Sequence, residues 1–113
     1  MATKSEPPHL EVDQAFAATG GDTGVWEPAY SGALSFMRRR YTKDFRAEPV
    51  DVVVSGVPFD LGTSNRPGAR FGPRGIREAS AQLAFGMPHW PWDFDPFAIL
   101  GVIDLGDVPC MPS

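Results

Sequence analysis

Cysteine is almost missing from this sequence. Cys110 stands alone among 113 residues, which excludes an internal disulfide and any zinc site built from several thiolates. Long apolar runs are missing too: no stretch approaches the roughly 20 apolar residues of a membrane-spanning helix. Residues 1–22 mix charges, prolines and glycines where a secretory signal would carry an apolar centre. A cytoplasmic setting is the expectation. There is no basic excess, since 10 Lys and Arg face 14 Asp and Glu for a net charge of −4. That balance argues against nucleic acid or an anionic membrane as a partner. The one basic run, Arg38-Arg39-Arg40 with Lys43 and Arg46 nearby, reads as a short solvated stretch. Histidine occurs only at His9 and His89, and no internal repeat is visible.

Glycine and proline are plentiful, at 12 each, and they punctuate apolar runs instead of forming one low-complexity tract. Residues 1–25 carry few large apolar side chains and read as a flexible leader. Residues 26–48 form a second, aromatic segment. There Tyr30, Leu34 and Met37 recur at i, i+4 and i+7, a spacing that predicts a short amphipathic helix over Ser31–Arg39. This helix would cap a core or make a subunit contact. The third segment, residues 49–113, holds the ordered core. Asp51–Val57 (DVVVSGV) is a continuous β-branched run between Pro49 and Pro58, the pattern of a strand covered on both faces. After a turn-rich loop over Phe59–Gly72, Pro73 suits the first position of a helix. Ile76, Ala79 and Leu83 form an apolar face on that helix, with Arg74, Arg77, Glu78 and Gln82 left for solvent. A loop rich in Pro and Trp leads to a second strand at about Ala98–Leu105, which ends at Gly106-Asp107.

Strand, helix and strand in this order make a β-α-β unit of a parallel sheet, so the fold class is α/β. Two strands and one helix leave a strand face and both sheet edges uncovered. More of the same chain, or a partner, is needed to cover them.

The strand-to-helix loop carries the strongest chemical signal. A phosphate-binding loop of the Walker kind needs Gly-Lys-Ser/Thr at the helix start, whereas this chain reads Gly72-Pro73-Arg74. Pro73 also removes one amide that would face an anion, and the dinucleotide glycine fingerprint is absent. Gly68 and Gly72 allow backbone angles or close approaches that a β-carbon would prevent. Arg66 and Arg70 offer planar forks for carboxylates or carbonyls. Asp60 sits at the strand's C-terminal end, where α/β folds usually build their sites. Together with Asn65 and Pro73 these are the candidate loop residues. Bracing of the loop, or a salt bridge between subunits, is the favoured role.

As one string, Gly56-Val57-Pro58-Phe59-Asp60, then Gly62-Thr63-Ser64-Asn65-Arg66-Pro67-Gly68-Ala69-Arg70-Phe71-Gly72-Pro73 and Ile76-Arg77, resembles the N-terminal block of agmatinases and related ureohydrolases. Trp92-Asp93-Phe94-Asp95, followed by Val102-Ile103-Asp104-Leu105-Gly106-Asp107-Val108, is similar to the next strand of that arginase-like family.

The resemblance, spanning about residues 35–109, implies the start of an arginase-like parallel-sheet sandwich. It implies hydrolysis of the guanidino group of agmatine, or of a related compound, to release urea. It also implies two manganese ions and a trimeric or hexameric homo-oligomer. The family's metal-binding blocks (G-G-D-H, D-A-H-x-D and D-x-D-x-x-D-P) do not occur in this sequence. Hence no catalytic residue and no metal ligand is assigned, and no metal is expected to bind this chain. His9, in the leader, and His89, without a partner at i+4, are not credible ligands. Asp104 and Asp107 form a close carboxylate pair, read as a turn or cap. The expectation is an N-terminal part of a ureohydrolase, inactive alone. The alternative is a non-catalytic truncated paralogue that acts by binding or oligomerisation.

Overall fold

The computed structural model describes residues 28–44, 46, 50–84 and 88–110. The flexible leader expected over residues 1–25 lies outside them. A three-stranded parallel sheet and one helix make up the frame. Strand β1 is Arg40–Tyr41, β2 is Val52–Gly56, helix α1 is Gly72–Leu83, and β3 is Val102–Asp107. The sheet order is β1-β3-β2, so β3 is central. Both ladders are parallel, with Arg40 opposite Ile103 and Val53 opposite Ile103 on the other side.

The β-α-β unit is thus present, with an added short strand that sequence periodicity did not reveal. Two residues are too few to show a period, and β1 exists because β3 offers it a ladder. The second strand begins later than expected. Asp95 accepts a hydrogen bond from the Phe97 amide and caps a single 3-10 turn at Pro96–Ala98. Asp51 then pins Gly101: its carboxylate accepts from the Gly101 amide at 2.8 Å, and its own amide donates to the Gly101 carbonyl. Only after this clamp does the chain extend.

The amphipathic helix expected over residues 31–39 does not form. A 3-10 turn at Phe36–Arg38 replaces it, with Met37 and Arg38 at φ of 51° and 52°. Neighbouring groups hold this uncommon backbone. The Met37 amide donates to Ser80 Oγ, and Arg38 Nε donates to the Ala81 carbonyl near the end of α1. Arg38 is buried and also reaches the carbonyls of Pro28, Ala29 and Ser31. The basic run is therefore not a solvated stretch. Arg38 knits the turn to α1, and Arg39 lies over the Phe97 ring.

Helix α1 turns a different face inward from the one its apolar periodicity suggests. Arg77, Ser80 and Ala81 are buried, while Ile76, Ala79 and Leu83 are exposed. The small Ser80 and Ala81 bring the helix close to the Phe36–Arg38 turn, and a charged partner inside takes up Arg77. Met37, Ala81, Val102 and Ile103 are the apolar core. β2, expected to be covered on both faces, instead sits at the sheet edge with Val52 and Val53 exposed.

Candidate functional site

The C-terminal ends of β2 and β3 lie side by side, with Gly56 opposite Asp107. In open α/β sheets this end is where sites are built. Two arginine–carboxylate clusters occupy it.

The first cluster holds the central strand to the helix. Arg77 spends its whole guanidinium on two carboxylates. Nε and Nη2 donate to the two oxygens of Asp104 at 2.7 and 3.0 Å, and Nη1 donates to Asp107 Oδ1 at 2.7 Å. Asp104 is completely buried and also accepts from the amides of Phe36 and Gly106. Burial pushes its carboxyl up. The bonds from Arg77 and the two amides outweigh that effect, so it stays below the usual carboxylate range. Arg77 is raised in turn, chiefly by its hydrogen bond to Asp104. Two ladder positions are involved because β3 is irregular there. The register shifts between Val54 and Ser55 of β2, and Gly106 takes φ of 83°. This bulge lets Asp104 and Asp107 reach one guanidinium. A β-carbon on Gly106 would lie 2.5 Å from Tyr41 Oη and from Lys43 Nζ.

The second cluster braces the loop after β2. Asp60 Oδ2 accepts from the Gly68 amide at 2.7 Å and the Arg70 amide at 3.3 Å, while Arg70 Nη2 lies 2.7 Å from Asp60 Oδ1. The Arg70 guanidinium and the two amides hold Asp60 down to about 2. Gly68 has φ of 137°, which fits the role given to it from sequence. Gly72 differs: it has ordinary helical angles (φ −58°) and open space where a β-carbon would go, so it opens α1 without needing to be glycine. Pro73 consequently falls one position inside the helix. Its ring packs against Gly56, where a β-carbon would lie 2.7 Å from Pro73 Cβ and collide with the Asp107 carboxylate.

Of the loop residues picked from sequence, Asp60, Gly68 and Arg70 come together, and Pro73 abuts Gly56. Asn65 and Arg66 are exposed and join neither cluster. Sequence reasoning placed Arg77 in solvent, yet it is the centre of the larger cluster. The signal that could have found it is Ser80-Ala81 at i+3 and i+4, a small-residue face that lets a helix approach closely.

These carboxylates do not suit a metal ion. The oxygens of Asp104 and the outermost atoms of Asp60 are already taken by arginine and amide donors, and Asp107 faces Arg77. His89 bonds the Leu83 carbonyl through Nε2. Among the described residues no group of three or more His, Cys, Asp or Glu gathers.

Comparison with known proteins follows the same segment. A family model described as the arginase family matches residues 50–113. Agmatinase from Chromobacterium violaceum is 57% identical over 81 residues, covering 72% of this chain and 24% of its own. Agmatinase from Sodalis glossinidius is 44% identical over 78 residues, with coverages of 69% and 25%. The crystal structure of a hypothetical agmatinase from Burkholderia thailandensis superimposes with a TM-score of 0.65 at 58% identity, over 73% of this chain and 25% of that one. The chain therefore spans about a quarter of the length of these relatives.

Proposed function

The chain belongs to the arginase family, and from that premise we propose that it forms the N-terminal β-α-β unit of a ureohydrolase that converts agmatine to putrescine and urea. The observation that carries this reading is the 57% identity to the Chromobacterium violaceum agmatinase. The identity between this chain and the Burkholderia thailandensis structure supports it. Related guanidino compounds such as guanidinobutyrate and guanidinopropionate are the competing substrates.

In this reading the segment is scaffold. Arg77, with Asp104 and Asp107, fixes α1 to the central strand. Asp60 and Arg70 fix the loop at the sheet's C-terminal end. Two manganese ions are the cofactor the family implies, and paired divalent metals supply hydroxide at neutral pH. The family resemblance puts their ligands in other blocks, and Asp60, Asp104 and Asp107 are each engaged by an arginine. Bracing of the loop or a contact between subunits is the role proposed for Asp60, Arg66 and Arg70. Assembly as a trimer or hexamer in the cytoplasm completes the proposal. No helix among the described residues is long and apolar enough to cross a membrane.

The purified chain, given manganese and agmatine, is expected to release no urea. Manganese-dependent urea release by these 113 residues would overturn the assignment of the segment as scaffold.

A further inference from the structure

A cavity of about 600 Å³ opens at the C-terminal end of the sheet, beside the first turn of α1. Ala33, Leu34 and Tyr41 line it together with Arg74, Arg77 and Asp107. The two arginines differ. Arg77 is engaged by Asp104 and Asp107 through all three of its nitrogens. Arg74, three positions earlier on α1, is exposed and makes no hydrogen bond or ion pair among the described residues. Lys43 stands over the Tyr41 ring, with Nζ 5.7 Å from its centre. Arg74, Arg77 and Lys43 are thus set against two carboxylates, Asp104 and Asp107. One positive charge is left over, in a chain whose net charge is −4. Glu78, one turn beyond Arg74, does not line the cavity.

We propose that this cavity binds a small aliphatic monocarboxylate, with its carboxylate on Arg74 and its hydrocarbon body against Ala33, Leu34 and the Tyr41 ring. The volume falls within the range of about 300–1,000 Å³ usual for small-molecule sites. A free guanidinium offers a planar fork that matches a carboxylate through two parallel hydrogen bonds. One surplus charge suits a monoanion. Asp107, in the same lining, repels the second charge of a phosphate dianion. Agmatine is a cation with no carboxylate, so this site is separate from any that holds the substrate proposed above. The inference rests on the charges and walls of the cavity and not on hydrolysis, so either reading can fail without the other.

The test titrates the full chain of 113 residues with butyrate, acetate, inorganic phosphate and agmatine at constant ionic strength. Heteronuclear NMR reads the Arg74 Nε–H signal and the Tyr41 ring signals. Butyrate is expected to bind in the millimolar range. It should bind about tenfold more tightly than acetate, because its two extra methylenes lie against the apolar lining. Arg74→Gln, read at Tyr41, should weaken butyrate about tenfold or more and leave the melt unchanged, since Arg74 is exposed. Arg66→Gln removes an exposed guanidinium that does not line the cavity and should leave butyrate affinity as it was. Equal affinity for acetate and butyrate would mean an adventitious ion only and would overturn the proposal. So would tighter binding of phosphate or agmatine, butyrate binding that survives Arg74→Gln, an equal loss in Arg66→Gln, or the absence of any saturable shift.

Discussion

Asp104 has no exposure to solvent and stays charged because every donor around it is placed for a carboxylate. Removing Arg77 strands that charge inside. Arg77→Met is therefore expected to cost about 3–5 kcal/mol, the usual penalty for breaking a buried pair from one side. Asp104→Leu added to it should cost less than the two single changes summed, with a coupling of about 1–3 kcal/mol in a double-mutant cycle of denaturant melts. Additive losses would mean that the pair is incidental. Asp60 gives a different signature. Its carboxyl is held at about 2, below its ordinary value of 3.8. Its contribution is thus complete above about pH 4 and is lost as the pH falls toward 2, where the folded form also takes up a proton. Asp60→Asn should flatten the stability profile between pH 4 and 2 and lower stability at pH 6. An unchanged acid limb would show that Arg70, half in solvent, does not hold the loop.

Elements show why some of this was legible beforehand and some was not. The DVVVSGV run and the Pro-started helix are local signals, and both elements form close to where periodicity and Pro73 put them. Asp60 was picked for its place at the C-terminal end of the strand, and it lies in the loop four residues beyond β2. Arg77 was not, because its burial depends on Asp104, 27 positions later, and on the bulge at Gly106. The Phe36–Arg38 turn escaped for the same reason. Tyr30, Leu34 and Met37 keep helical spacing, but Ser80 Oγ and the Ala81 carbonyl hold the chain in another conformation. Ser80→Ala would leave the buried Met37 amide without its acceptor, at a cost of about 1–3 kcal/mol. Ile76→Ala, by contrast, should fall within about 0.5 kcal/mol of the parent in the isolated chain, as for other surface positions. A large loss at Ile76 with little at Ser80 would restore the helix face that apolar periodicity suggests. The bulge has its own test. Gly106→Ala forces a β-carbon at φ of 83° against Tyr41 and Lys43, and the left-handed backbone alone costs about 1–2 kcal/mol.

At the scale of the whole molecule, the described residues form a β-α-β unit whose buried Asp104 and Arg77 are paired and whose β2 valines are exposed. Arg77 and Arg70 tie the C-terminal end of the sheet to α1 and to the loop after β2, while the valines of β2 stay exposed. The most direct test is a chimera in which the matched residues of this chain replace the N-terminal quarter of the Chromobacterium violaceum agmatinase, assayed for urea release from agmatine with manganese. Urea release within about tenfold of the parent, equivalent to under about 1.4 kcal/mol of transition-state free energy, is the expected result. A chimera that folds and assembles like the parent yet releases no urea would contradict the assignment of this segment as a working ureohydrolase scaffold.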